Sequence, residues 1–296
     1  MIFHRFLILL LLISLLAGCT FSGSSGPAAD IVATTMPVYT FTTRLCAGTD
    51  LHTVQLVTES VSCLHDYTLQ VSQMRLLENA DMIVLSGAGM ENFLQDVIPG
   101  SVPCADASTG IPLLESSHHH EHDHGHEHHN AEPDAHIWLS PMNAITMAEN
   151  ICQALCKQYP QYQELFSLNL QNLTYELEKL QLYGETELND LSCRELITFH
   201  DGFAYLAQAF DLTILEAIEE ESGSEASAAE LIHLIDLVRH HDLPAIFTET
   251  NGSTSAAQII CAETGTSHFC LDMAMSGEDY FQAMYHNIHS LKEALQ

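Results

Sequence analysis

The feature that most constrains the fold is a twofold alternation of short β-branched runs with longer helical stretches. In the first half of the chain the runs are IVATT (31–35), TVQLV (53–57) and MIVLS (82–86). In the second half they are LITF (196–199), LTILEAI (212–218), AIFTE (245–249) and SHFCLD (267–272). Strands that alternate with helices form parallel sheets covered on both faces. The sequence therefore predicts an α/β fold of two lobes, each a parallel sheet with flanking helices.

A region without strand signal, from 141 to about 190, separates the two series. After Pro160 it contains QYQELFSLNLQNLTYELEKLQLYGETEL, whose leucines recur at helical spacing over 28 residues. Such a helix would be about 40 Å long at 1.5 Å per residue, which predicts a rigid connection with little hinge motion. The expected organisation is an N-terminal lobe at 31–160, a linking helix at 161–191 and a C-terminal lobe at 192–296. In the second series, Ser227 and Glu230 have the spacing of a helix capping box.

Residues 1–18 predict an export signal. The apolar run LILLLLISLL is too short for a membrane span, and it ends in Leu16-Ala17-Gly18 directly before Cys19. This arrangement resembles the lipobox of bacterial lipoproteins, in which the cysteine after the cleavage point carries the lipid. An ordinary secretory peptide cut elsewhere is the alternative. Residues 19–30 are rich in serine and glycine and suit a flexible tether, so we expect an extracytoplasmic protein that is anchored to a bacterial membrane.

The charge of the chain excludes one class of partner. The formal net charge is −31, from 39 acidic and 8 basic residues. Such a surface repels nucleic acids, so we expect no nucleic-acid partner. Solubility alone explains the charge as well as steering of cations does.

Cysteines add a second expectation for an extracytoplasmic protein. Nine cysteines, less Cys19, leave an even number of eight, which suits a compartment that permits disulfides. Cys261 and Cys270 bracket a short turn between a helix and a strand and are the best candidate pair. Cys152 and Cys156 lie four residues apart on a helix and are expected to find other partners. Buried free thiols are the alternative for all of them.

Four candidate ligands follow predicted strands or precede the linking region. They are His65, His136, His200 and Asp272. Ligands of open parallel sheets bind beyond the carboxyl ends of the strands. An aspartate follows both His65 and His200, where it could hold the second nitrogen of the imidazole. The residues alone leave a metal site and a set of structural histidines equally open.

The chain resembles the metal-binding lipoproteins that supply zinc or manganese to ABC importers, and most closely the zinc branch. The matching stretches are HDY, DAHIWLSPMNA, ITFHDGFAYLAQAF, SEASAAELIHLI, AIFTET and LDMAMSGEDYFQAMYHNIHSL, in the order of the family. The resemblance implies two α/β lobes joined by one long helix, with zinc in the cleft on His65, His136, His200 and Asp272. It also implies delivery to an ABC permease, a monomer, and no enzymatic activity.

Some positions depart from the family pattern. Leu64 and Ala135 replace common prolines before two of the ligand histidines, and Ser140 replaces a common aspartate. Leu69 and Val71 stand where prolines are expected after His65, which concerns the conformation of that loop and not the ligand. Cys63, two residues before His65, is unusual there and could pair or bind metal.

The ligand set selects among metals. Three neutral imidazoles and one carboxylate suit four-coordinate zinc. Manganese prefers more oxygen ligands, and manganese-type members of the family have glutamate where this chain has His200. Copper would bind three imidazoles more tightly, so discrimination against copper would come from geometry or supply.

The segment HHHEHDHGHEHH at 118–129 contains no apolar residue. We expect a disordered loop ahead of His136 that collects further zinc weakly, with Glu121, Asp123 and Glu127 nearby. Its histidines are His118, His119, His120, His122, His124, His126, His128 and His129. A solvated acidic spacer is the alternative.

Two other classes of function remain open. A secreted zinc hydrolase would need an open coordination position and a general base. The chain has no HExxH motif, and Glu249 is the only obvious base. A lipid-anchored adhesin with a structural metal is the third reading, and a role in cell adhesion is compatible with the sequence.

Overall fold

A computed structural model describes residues 29–58, 64, 67–115, 133–218, 226–275 and 279–296. The first parallel sheet consists of β1 (Ile31–Ala33), β2 (Thr53–Gln55), β3 (Met82–Leu85) and β4 (Cys104–Asp106), in the order β2-β1-β3-β4. The second consists of β5 (Glu195–Thr198), β6 (Thr213–Ala217), β7 (Ala245–Glu249) and β8 (Ser267–Leu271), in the order β6-β5-β7-β8. The predicted two-lobe α/β fold is confirmed, and the two sheets share one strand order.

Helices connect the strands and cover the sheets. They are α1 (Met36–Leu45), α2 (Val71–Asn79), α3 (Pro141–Gln158), α4 (Gln163–Glu187), α5 (Ala204–Ala209), α6 (Ala228–His241), α7 (Ser255–Thr264) and α8 (Tyr280–Leu295). Short 3-10 turns lie at Asn92–Leu94, Ile137–Leu139 and Pro160–Tyr162. Within the described residues, none of the helices combines the length and apolarity that a membrane crossing requires.

The long helix α4 has the position that the sequence predicts. It runs for 25 residues, Gln163–Glu187, after the turn at Pro160–Tyr162. It packs against α1 and α3, which precede it in the chain, and against α8, which follows it. Gly184 is required where the helix meets Phe210, because a Cβ there would lie 2.2 Å from the Phe210 ring. The helix thus contacts elements that belong to both halves.

Local signals fix the beginnings of two helices. Ser227 accepts from the backbone N–H of Glu230 at 3.3 Å, and the Glu230 carboxylate accepts from the Ser227 N–H at 2.6 Å. This is the predicted capping box of α6. At α3 the Ser140 hydroxyl accepts from the N–H of Asn143, and Pro141 occupies the first turn. The cap of α3 at Ser140 therefore lies four residues after His136.

The predicted disulfide between Cys261 and Cys270 is not formed. Both thiols are free, as are the other cysteines in the described part of the chain. Cys270 is paired in register with Thr248 on β7, and its sulfur lies 3.6 Å from the Thr248 hydroxyl. The Cys270 thiol therefore lies beside Thr248 of β7 and does not bridge the turn between α7 and β8.

The strand order defines where a ligand could bind. In each sheet the order reverses between the first and third strands of that sheet, β1 and β3 or β5 and β7. Crevices open beyond the carboxyl ends of strands at such points. Thr34 follows β1, and His200 follows β5 by two residues. The core continues between the two sheets, since one cluster of buried side chains includes Ile31, Trp138 and Phe247.

Candidate metal centre

The structure brings two of the predicted ligands together. His136 precedes the turn Ile137–Leu139, and His200 follows β5. Their ring centroids are 5.3 Å apart, with the ring planes at 85°. Only 4% of His136 and 9% of His200 is exposed. Two imidazoles from opposite halves of the chain therefore meet in a largely buried position.

A carboxylate orients the ring of His136. Asp134 Oδ1 lies 2.8 Å from His136 Nδ1 and also accepts from the backbone N–H of His136 at 2.9 Å. In the neutral ring, Nδ1 carries the proton that it donates to the carboxylate, and the lone pair lies on Nε2. That Nε2 is buried and has no hydrogen-bond partner among the residues the structure describes. This atom has the protonation and the position of a metal ligand.

Glu249 orients the ring of His200 in the same way, through Nδ1. This residue ends β7, is 5% exposed, and places its Oε1 2.7 Å from His200 Nδ1. The carboxylate that holds this ring nitrogen is therefore Glu249 and not Asp201, which follows His200 in sequence. The adjacency of β5 and β7 causes this, because it brings the carboxyl ends of the two strands together. Glu249, considered above as a general base, is committed to the imidazole.

Gly202 allows the two rings to approach. A Cβ at this position would lie 2.8 Å from His200 Cδ2, 2.9 Å from His136 Nδ1 and 2.5 Å from Met273 Cε. Each distance is shorter than real Cβ contacts, so a side chain would displace the rings. Neither Gly202 nor Asp134 was predicted from the sequence as part of the site. Their signal was their place two residues from a candidate ligand.

Asp272 follows β8 and is half-buried. Its Oδ1 accepts from the N–H of Ala274 at 2.7 Å, and Asn287 bonds both its backbone N–H and its carbonyl at 2.7 Å. Burial raises the pKa of Asp272, the Ala274 N–H and the charge of His286 lower it, and the charge of Glu249 raises it again. Asp272 and Glu249 are thus close enough to repel each other, and a cation near them would relieve the repulsion.

The described residues alone do not complete a metal site. No group of three or more His, Cys, Asp or Glu side chains in the described ranges is placed to hold an ion. His65 lies outside these ranges, as do Cys63, the histidines of 118–129 and Cys19. The connection between β2 and α2 is described at Leu64, which precedes His65 in the chain and is buried, and again from Tyr67 onward. Two neutral imidazoles backed by carboxylates suit a metal that accepts nitrogen ligands.

Comparison with protein families gives one match that spans most of the chain. The model described as "ZnuA: Zinc-uptake complex component A periplasmic" matches residues 31–294. That range includes both sheets, the linking helix and all four predicted ligands.

Curated relatives are 27–29% identical to this chain over the residues that align. A protein of Treponema pallidum (strain Nichols) with a provisional metal-binding description is 29% identical over 262 residues, covering 85% of this chain and 83% of the relative. The zinc-binding lipoprotein AdcA of Streptococcus pneumoniae (strain R6) is 29% identical over 296 residues. The chain spans only 58% of the length of that AdcA and 55% of AdcA from Streptococcus pyogenes.

Solved structures share the fold. A crystal structure of ZnuA superposes with a TM-score of 0.78 at 27% identity, covering 91% of this chain and all of ZnuA. Zn(II)-bound AdcA of Streptococcus pneumoniae gives 0.75 at 27% identity, covering 90% of this chain and 57% of AdcA. The match to the laminin-binding adhesin of Streptococcus agalactiae has a TM-score of 0.76 at 21% identity and covers 90% of this chain and all of the adhesin. At this identity the match indicates a shared fold and nothing more.

Proposed function

Because this chain belongs to the ZnuA family of periplasmic zinc-uptake components, we propose that it captures zinc outside the cytoplasm and passes it to an ABC importer. The observation that carries the proposal is the buried pair His136 and His200. Their rings meet from opposite halves of the chain, and each has its Nδ1 on a buried carboxylate. A buried imidazole pair with this support is costly unless a metal uses it.

The proposed ligands are His65, His136, His200 and Asp272. Nε2 of His136 is buried with its lone pair exposed to the site, and the proton on His200 Nδ1 leaves the lone pair of that ring on Nε2 as well. Zinc takes four such nitrogen and oxygen ligands in a tetrahedron. Asp272 would supply the oxygen, and its electrostatic coupling to Glu249 supports a place at the same site.

Asp134 and Glu249 would support the site from behind the ligands. Each fixes the tautomer of one imidazole and makes it a better donor to the metal. Together with Asp272 they would place three carboxylates around one divalent ion. These supply negative charge that neutral imidazoles alone would not. Because Glu249 is held by His200, we propose a binding protein and not a zinc hydrolase.

The wider role follows from the same family. We propose a monomer that receives zinc in the extracytoplasmic space, is held to the membrane by a lipid on Cys19, and docks on an ABC permease. The net charge of −31 would raise the local concentration of zinc near the protein. The His-rich segment 118–129 would bind additional zinc more weakly than the site at His136 and His200 does.

Zinc titration of three proteins tests this proposal. The mature chain should bind one zinc tightly and more zinc weakly. A variant lacking residues 118–129 should keep the tight site and lose the weak ones. The double variant His136→Ala/His200→Ala should lose the tight site and keep the weak ones. Tight binding that survives in the double variant, or disappears with the loop, would contradict the assignment.

A further inference from the structure

A buried hydrogen bond joins the segment of His136 to the segment of Asp272. Trp138, the only tryptophan of the chain, lies two residues after His136. Its side chain is fully buried, and its Nε1–H donates to the carbonyl oxygen of Met273 at 2.8 Å. Met273 directly follows Asp272. One side chain therefore connects two ligand-bearing segments that are 135 residues apart in sequence.

Tyr280 holds the same tryptophan from its other side. The Tyr280 hydroxyl donates to the carbonyl oxygen of Trp138 at 2.7 Å. Tyr280 begins α8 and is fully buried, with its ring edge-on to Phe41 of α1 at a centroid distance of 5.0 Å. The peptide that follows His136 by two residues is therefore attached to the C-terminal helix as well as to the loop after β8.

Helix α8 also binds the backbone of Asp272 directly. Asn287 of this helix is fully buried, accepts from the Asp272 N–H and donates to the Asp272 carbonyl, both at 2.7 Å. Asp272 is thus held through its own peptide groups by Asn287, and through the next carbonyl by Trp138. Breaking any of these bonds would leave a buried donor or acceptor unpaired, which is more costly than the bond itself is favourable.

We propose that Trp138 and Tyr280 are positioning residues for the metal, which keep His136 and Asp272 at a fixed spacing before zinc arrives. This inference deepens the proposed function and rests on it. Neither side chain is a ligand, because each acts through the backbone of a segment that carries one. A fixed connection between the two segments means that part of the ordering cost is met during folding and not during binding. The consequence is slower release of zinc.

Conservative variants separate this role from general packing. Tyr280→Phe removes one hydroxyl and keeps the ring against Phe41. Trp138→Phe removes the N–H donor to Met273. The matched control is Tyr159→Phe, because Tyr159 is also a buried tyrosine whose hydroxyl reaches a backbone carbonyl, that of Asp30 at 3.5 Å. Tyr159 lies at the end of α3, with no contact to a ligand segment among its hydrogen bonds.

The experiment measures zinc release from each loaded protein into excess chromogenic chelator by stopped flow, with thermal unfolding of the zinc-free proteins in parallel. We expect Tyr280→Phe and Trp138→Phe each to accelerate release by about tenfold, the lower range for loss of an outer hydrogen bond. The double variant should release zinc no faster than the faster single variant, because both substitutions break the same chain of hydrogen bonds. Tyr159→Phe should release at the wild-type rate.

Three results would overturn the inference. One is wild-type release by both single variants, even if their zinc-free forms are less stable, since that outcome identifies a purely structural contact. The second is multiplication of the two effects in the double variant, as for independent sites. The third is acceleration by Tyr159→Phe equal to that by Tyr280→Phe. Failure of the wild-type chain to take up zinc at all would overturn the proposed function itself and the inference with it.

Discussion

At the carboxyl ends of β1 and β3 a buried carboxylate is satisfied within its own lobe, whereas at the ends of β5 and β7 the buried carboxylate holds a histidine. Glu91 accepts from the Thr34 hydroxyl at 2.6 Å and from the N–H groups of Ser86 and Gly87 at 2.7 and 3.0 Å. Glu249 instead lies 2.7 Å from Nδ1 of His200. The two sheets have the same strand order, so the difference arises from side chains and not from topology.

This difference indicates how the lobes divide the work. The first lobe closes its own crevice with Thr35, Ser86 and Glu91, where the two hydroxyls also bond each other at 2.7 Å. Its candidate ligands, His65 and His136, come from connecting segments. The second lobe presents its candidate ligand His200 at the reversal of strand order itself. We infer that Glu91 serves stability and Glu249 serves metal binding.

The largest expected effect is the loss of zinc affinity when a proposed ligand of the second lobe is removed. Substitution of the buried carboxylate of the first lobe, Glu91, should have no such effect. His200→Ala should lower the affinity by more than the roughly tenfold to hundredfold that loss of an outer-sphere hydrogen bond costs, because an imidazole ligand is lost. Asp272→Ala should cost less, since a water can replace one carboxylate oxygen. Glu91→Gln should leave the affinity unchanged. Competition titration against a chelator of known affinity measures all three, and equal losses for His200→Ala and Glu91→Gln would remove the distinction.

Gly202→Ala should have the next largest effect. The added methyl group would meet both imidazoles and the Met273 side chain at 2.5–2.9 Å, which forces the rings apart. We expect zinc affinity to fall by roughly tenfold, as for other losses of ligand orientation. Gly100→Ala is the control, because nothing lies within 4 Å of its added Cβ. The same competition titration applies, and unchanged binding by Gly202→Ala would mean that the metal does not need the two rings at their observed spacing.

Glu91 should show itself in the pH dependence of stability. Burial raises the pKa of Glu91 from an ordinary value of 4.5 to about 7. The folded protein then holds this proton more tightly than the unfolded chain does, so the contribution to stability is full below the ordinary value and is lost as the pH rises through about 7. Denaturant unfolding of the zinc-free protein should show a loss on the order of 2 kcal/mol between about pH 5 and pH 8.

Glu91→Gln is the variant that isolates this contribution. It cannot ionise, so this part of the pH dependence should be absent from its unfolding free energy. An identical pH profile for wild type and variant would show that Glu91 is ionised throughout and that its three hydrogen bonds outweigh burial.

The smallest expected effect is a change of overall shape on zinc binding. Helix α4 contacts α1 and α3 as well as α8, and buried side chains continue from one sheet to the other. We therefore expect small-angle scattering to give nearly the same radius of gyration with and without zinc. A decrease like that of a protein that closes by a large domain rotation would contradict a rigid connection.

Much of the fold could be predicted from the sequence because its signals are local. The runs at 31–35, 53–57 and 245–249 are short, β-branched and separated by helices, and each contains an observed strand. The capping box of Ser227 and Glu230 is likewise a three-residue pattern. The strand β4, Cys104–Asp106, was missed because it has three residues and only its alanine is buried. A strand so short and so exposed has no periodicity to detect.

The site was predictable only in part because its support comes from distant residues. His136 and His200 were found from their sequence context, and their proximity is a structural result. The sequence suggested that Asp201 could hold the second nitrogen of His200, but Nδ1 lies on Glu249, which strand pairing brings in from 49 positions later. The disulfide between Cys261 and Cys270 was wrong because Cys270 lies beside Thr248, and pairing with β7 determines that neighbour. Such contacts have no signal in the neighbouring sequence.

The central claim is that one zinc ion lies between the halves of the molecule, on the imidazoles of His136 and His200. Anomalous X-ray diffraction at the zinc edge, on crystals of the mature chain grown with one equivalent of zinc, locates the ion directly. We predict a single strong peak about 2.0–2.1 Å from Nε2 of both histidines. A strong peak bound elsewhere, with Nε2 of His136 and His200 making no contact to it, would contradict the account.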